Sequence, residues 1–257
     1  MTIGALGIAL ALVVGVVLGL LGGGGSILAL PIFLYVFGAA PEPAIAMSLA
    51  VVGMSAFVGF AAHLQQQSVN LRVGVPFGLC AMVSAFLTAR LARHVPDTLQ
   101  LALFAVFAFS AAAVMLRDSL RPAWMRVGES PTAEPPHFTA LVGLEALGVG
   151  ALTALIGAGG GFVIVPALVY LARVPLKPAV GSSLLIITLN ALAAFLGYLG
   201  RVPITWSLVL PFTAVAAVGA MLGTRLNRRL PQYRIKQAFA LLILVLGTYL
   251  IVREIVS

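Results

Sequence analysis

Long apolar stretches with brief polar interruptions make up almost the whole chain. The runs are Ile3–Leu21, Ile27–Phe37, Ala44–Ala62, Val73–Leu91, Leu99–Leu116, Phe138–Ile156, Phe162–Ala172, Ala179–Leu199, Ile204–Leu226 and Ile235–Val252. Eight of them approach or reach the roughly 20 residues that a helix needs to cross a bilayer. Two, Ile27–Phe37 and Phe162–Ala172, hold only 11 residues each. The runs are continuous and do not alternate apolar with polar, so they predict helices and not the strands of a membrane barrel. The only polar stretch of any size is Arg117–His137, which contains Pro122, Pro131, Pro135 and Pro136. It divides the chain into a first transmembrane repeat at 1–116, a polar linker at 117–137 and a second transmembrane repeat at 138–257.

The two parts are copies of one another. A shift of 135 positions aligns them without a gap. Gly22, Gly24, Gly25 and Pro31 then meet Gly157, Gly159, Gly160 and Pro166. Ser48-Leu49 meets Ser183-Leu184, Pro76-Phe77 meets Pro211-Phe212, and Arg90-Leu91 meets Arg225-Leu226. From Leu20 to Asp97, 23 of 78 positions are identical, and composition bias alone would give roughly a third of that. Internal repeats of this kind are characteristic of secondary transporters.

Composition agrees: 61% of the 257 residues are apolar and 9% are charged. A soluble single-core protein cannot hide that much apolar surface, so soluble enzymes, disordered chains and disulfide scaffolds are excluded. The single Cys80 and the scattered His63, His94 and His137 offer neither a cysteine motif nor a metal-binding pattern. No cofactor is expected, and no catalytic grouping marks an enzyme. The formal charge of +8 reads as orientation and not as nucleic-acid binding, because Lys and Arg collect in cytoplasmic loops. If the two repeats are inverted relative to each other, 11 basic residues fall on the cytoplasmic side and 4 outside; if parallel, 9 and 6. The sequence therefore predicts an all-α polytopic membrane protein of two inverted repeats, each of about five helical pieces with a Gly-broken helix, and both termini outside.

The clusters Gly22–Gly25 and Gly157–Gly161 fall at matching places, each between a long run and a short one. Irregular backbone at membrane depth survives only where it is buried in protein or lines a cavity. A helix that starts after such a break presents free N–H groups and a positive dipole end, which suits an anion. The helix starts around Gly24, Gly25 and Ser26, and around Gly159, Gly160 and Gly161, are therefore candidate substrate cradles. The plainer reading is tight helix crossing.

The segments GGGGSILALPIFLYVFG…PAIAMSL and GAGGGFVIVPALVYL…PAVGSSLLIITLNALAAFLGY resemble the paired motifs of the TauE/SafE family of sulfite exporters and sulfonate permeases. The resemblance extends over nearly the whole chain. It implies a multi-pass transporter of the bacterial inner (plasma) membrane that carries a sulfur-containing anion, such as sulfite or an organosulfonate like sulfoacetate.

A few polar side chains remain inside the apolar runs, where they are costly and often functional. Ser48 and Ser183 occupy equivalent positions, as do Ser55 and Asn190, and seven residues place each pair on one helix face. Ser48, Ser183 and Asn190 supply neutral donors that would complete a shell around an oxyanion and still release it. Interhelical hydrogen bonding is the competing role. Glu145 is the only acid deep in an apolar run, where Leu10 is its counterpart; it is a candidate carrier of a coupling proton. The partners expected are thus a small anion, membrane lipid, and protons or another coupling ion, with self-association left open. The alternatives are a carrier of another small anion such as a carboxylate, or a passive anion channel.

Overall fold

The structure is a computed structural model that describes residues 4–23, 25–119, 139–157 and 159–227. All regular structure among these residues is helical. The helices are α1 (Ala5–Leu21), α2 (Ser26–Pro31), α3 (Pro41–Gln65), α4 (Leu71–Leu91), α5 (Asp97–Ser119), α6 (Ala140–Ile156), α7 (Gly161–Tyr170), α8 (Leu176–Tyr198) and α9 (Trp206–Asn227). A π-helical turn, Ile32–Val36, extends α2. Helices α3, α4, α8 and α9 are each long and apolar enough to cross a membrane. Nine of the ten expected pieces are thus present. The tenth run, Ile235–Val252, and residues 120–137 of the linker lie outside the described residues, and Arg117–Ser119 continue α5.

Local chemistry sets the ends. Asn70 caps α4 by accepting the Val73 N–H at 3.2 Å, and Thr139 caps α6 by accepting the Val142 N–H at 3.3 Å. Pro31 in α2 has no N–H to give, and the helix widens just after it: Phe37 donates to Ile32 O, five residues back, at 3.2 Å. The two short helices finish alike. Ala39 donates to Phe33 O at 3.0 Å, and its counterpart Val174 donates to Leu168 O at 2.8 Å.

The packing follows the repeat. Helices α3 and α8, equivalent under the 135-residue shift, pack together at the centre. They run antiparallel: a methyl group added at Gly53 would lie 2.8 Å from Leu192 Cδ2, and one at Gly59 would lie 3.2 Å from Leu184 Cδ1. Around them α1 packs on α9 and α6 on α4, while α3 also meets α9 and α8 meets α4. The shift carries each of these pairings into the other of its kind. It holds at the level of single residues. A Cβ at Gly15 would collide with the Ala216 carbonyl, and a Cβ at Gly150 with the carbonyl of Ala81, which is the counterpart of Ala216. These glycines let two backbones touch, as small residues do in lipid.

The sequence halves are therefore interleaved. α9 of the second half completes the group around α1 and α3, and α4 of the first half completes the group around α6 and α8. Side chains such as Leu141, Leu144, Leu196 and Leu210 face outward, as lipid-facing positions do.

Candidate substrate site

Helices α1 and α6 both end on a left-handed glycine. Gly22 has φ +66° and Gly157 has φ +69°, a conformation that costs an L-residue with a Cβ roughly 1–2 kcal/mol. Each glycine closes its helix in the same way. The Gly22 N–H donates to Leu18 O and the Gly157 N–H to Thr153 O, both at 2.9 Å. After each break the chain turns back as a short helix, α2 or α7.

Each break is held by a serine from the other half. Ser48 on α3 donates to Gly157 O at 2.8 Å and faces Ile45 O at 2.8 Å. Its counterpart Ser183 on α8 donates to Gly22 O and faces Val180 O at 2.7 Å. Both serines are fully buried. Their role in the structure is to satisfy the carbonyl that a broken helix leaves without an intrahelical donor, which contributes about 1 kcal/mol for each bond. Contact with a carried anion, the role expected from sequence, would require either hydroxyl to turn away from its carbonyl.

The breaks also meet each other. A methyl group at Gly23 would lie 2.8 Å from Gly161 C and 2.7 Å from Ile187 Cδ1. One at Gly159 would lie 2.8 Å from Val52 Cγ1, 3.1 Å from Ser26 Cβ and 3.3 Å from Ile187 Cγ2. Val52 and Ile187 are repeat counterparts. The two glycine segments thus clasp across one apolar centre, where Gly25, Ser26, Gly159, Gly160 and Gly161 are all buried. Gly24 lies outside the described residues. At the start of α2 the Ser26 hydroxyl and N–H both turn back to Gly23 O, at 2.6 and 3.1 Å.

Asn190 on α8 is fully buried and donates Nδ2 to Thr153 Oγ1 at 2.8 Å. Its Oδ1 has no hydrogen-bond partner among the described residues. Thr153 and Gly160 line a small cleft between α5, α6 and α7. Thr153 did not stand out in the sequence, because it is one hydroxyl in an apolar run whose counterpart is Leu18. The signal was its position, four residues before the glycine that ends α6. Tyr198 at the end of α8 is also buried and donates to Ala154 O at 2.9 Å. Glu145 lies on α6, half-buried, with Oε2 unpartnered among the described residues.

Basic side chains mark the two ends of the bundle. The Asn70 N–H donates to Ser182 Oγ at 2.7 Å, which brings Arg72 to the same end as Lys177. At the opposite end Arg201 donates to Arg90 O at 2.8 Å. Helix α9 leaves that end just after Arg201, and its 22 residues, about 33 Å of helix, carry Arg225 to the end of Arg72 and Lys177.

The profile of the sulfite exporter TauE/SafE family matches residues 7–250. The chain belongs to this family. The TauE/SafE chain is also 34% identical over 249 residues to a probable membrane transporter protein of Xylella fastidiosa, covering 94% of this chain and 92% of that one. It is 26% identical over 267 residues to the probable membrane transporter protein YunE of Bacillus subtilis, covering 97% and 98%. A probable membrane transporter protein of the archaeon Methanocaldococcus jannaschii is 24% identical over 263 residues, 94% of each chain. No solved structure matches. Family and relatives together make this a membrane transporter, and no relative's name states what it carries.

Proposed function

We propose that this TauE/SafE protein is a secondary carrier that moves a small sulfur-containing anion, sulfite or an organosulfonate, across the bacterial inner membrane. The observation that carries the reading is the meeting of two glycine-broken helices between the antiparallel pair α3 and α8. Broken helices at matching places in two repeats are where transporters bind substrate. The amides that follow Gly24–Ser26 and Gly159–Gly161 would hold the negative oxygens, with Ser48, Ser183 and Asn190 around them. Glu145, whose Oε2 has no partner among the described residues, is our candidate for the coupling proton.

We read the two repeats as inverted. The antiparallel run of the equivalent helices α3 and α8 supports this, as does the gathering of Arg72, Lys177 and Arg225 at one end, which we assign to the cytoplasm. The moving bodies would then be α1, α2, α3 and α9 on one side and α6, α7, α8 and α4 on the other, sliding along the α3–α8 seam to switch access.

Purified protein in proteoliposomes should take up labelled sulfite or sulfoacetate saturably. Uptake of acetate in preference to both would favour the carboxylate alternative. Accumulation against a gradient, abolished by an ionophore, separates a coupled carrier from a passive channel. Single-cysteine variants test the orientation: Lys177→Cys should react with a membrane-impermeant maleimide only from the cytoplasmic side, and Arg201→Cys only from outside.

A further inference from the structure

The polar side chains that face the breaks are spaced around an apolar one. On α8, Ser183, Ile187 and Asn190 stand at intervals of four and three residues, which puts them on one helix face. Ser183 holds Gly22 O, and Asn190 holds Thr153 one turn before the second break. Ile187, between them, is fully buried and lies midway along the helix. Its counterpart on α3 is Val52, fully buried between Ser48 and Ser55. The two central helices thus present the same order of polar, apolar and polar residues, but the apolar one is a methylene longer on α8.

Ile187 reaches both breaks at once. A methyl group added at Gly23 would lie 2.7 Å from Ile187 Cδ1, and one at Gly161 would lie 2.6 Å from the same atom. Ile187 Cγ2 faces Gly159, 3.3 Å from a methyl placed there. Val52 reaches Gly159 through Cγ1, at 2.8 Å by the same measure. A Cβ at Gly161 would also strike Gly23 Cα, so the breaks touch, and an anion enters between them only as they part. Gly161 and Ile187 belong to the body of α6, α7, α8 and α4, and Gly23 belongs to the other. The gap therefore opens along the Cδ1 methyl of Ile187. That methyl offers no donor. A sulfur oxyanion has two unlike sides: oxygens, which need donors when buried, and a lone pair or carbon substituent, which needs none. With the oxygens turned to the amides, the other side is left against Ile187.

We infer that Ile187 sets the size of the substituent that the carried anion can bear, with Val52 as the shorter wall. This rests on the carrier reading above and on its site between the two breaks. The ligand class is a small sulfur oxyanion whose apolar side is bounded by the Ile187 Cδ1 methyl. One methylene in an apolar pocket discriminates between ligands by about tenfold or more. The step from isoleucine to valine is therefore large enough to separate neighbouring members of a homologous series.

The test is competition against labelled sulfite uptake in proteoliposomes, with unlabelled sulfite, methanesulfonate and ethanesulfonate as competitors. For each protein the half-inhibiting concentration of each sulfonate is divided by that of sulfite. Ile187→Val should lower both quotients, that of ethanesulfonate by about tenfold. Ile186→Val is the same truncation one residue away; Ile186 faces Gly78 of α4, and the variant should stay within about twofold of the wild type. A fall of less than about threefold in Ile187→Val, or an equal fall in Ile186→Val, would overturn the inference, because loosened packing alone changes uptake and not the quotient. If Ile187→Val does not reconstitute, Val52→Ala is held to the same criterion. A wild type that takes up no sulfite would instead overturn the proposed function itself.

Discussion

Two glycines on α6, two residues apart, should respond to the same substitution with opposite signs. Gly150 sits on the α4 seam, where an added Cβ would lie 2.9 Å from Ala81 C and 3.0 Å from Ala81 Cα, besides striking the Ala81 carbonyl oxygen. Gly148 has nothing within 4 Å of that position. Gly148→Ala therefore gains helix propensity alone, up to about 1 kcal/mol. Gly150→Ala gains the same amount but meets backbone, which cannot swing aside as a side chain can. The two helices must part by about 1 Å to restore ordinary contact, and a gap of that size forfeits up to about half of each dispersion contact along the seam. Overpacking of this kind costs about 1–3 kcal/mol, which after the propensity gain leaves Gly150→Ala up to about 2 kcal/mol less stable. At roughly 2–4 °C per kcal/mol for a chain of this size, thermal unfolding in detergent should shift down by up to about 8 °C for Gly150→Ala and up by a few degrees for Gly148→Ala. Equal shifts of the same sign would refute the claim that close backbone crossing sets the α4–α6 packing.

Ser48→Ala and Ser183→Ala each leave a buried glycine carbonyl without its donor, and each should lower stability by about 1–2 kcal/mol in detergent denaturation; the two losses should be alike, since the two bonds are counterparts. Tyr198→Phe removes the bond to Ala154 O without changing volume and should cost about 1 kcal/mol, read by the same assay. Glu145→Gln should abolish the response of uptake to an imposed pH gradient while sparing substrate exchange at equal pH on both sides; a retained response would remove Glu145 from the coupling.

The helices were legible because lipid imposes a simple rule: an apolar run of sufficient length has to satisfy its backbone internally. Both glycine breaks were visible too, since a Gly cluster twice at the same phase has few structural explanations. Side-chain roles were less accessible. Ser48 and Ser183 stand out in the sequence as equivalent polar positions of the two repeats, but their acceptors, Gly157 O and Gly22 O, belong to the opposite half. No local spacing could reveal a partner more than a hundred residues away. Thr153 gives no local sign in the sequence because its partner, Asn190, lies 37 residues on. The interleaving of α4 and α9 was hidden for a related reason: the repeat defines which helices are equivalent and is silent on which ones touch.

That interleaving has a consequence for how the protein is made. The glycine face of α1 is built to be covered by α9, yet about 200 residues separate the ends of the two helices. At roughly 5–20 residues per second of synthesis, α1 waits about 10–40 s in the membrane before its partner leaves the ribosome. Throughout that interval its bare stripe of small residues must be shielded by lipid, the insertion machinery or a chaperone. Damage near the end of the gene would accordingly be felt at the beginning of the protein, and premature stop codons before α9 should yield chains that membrane proteases recognise by an orphaned first helix.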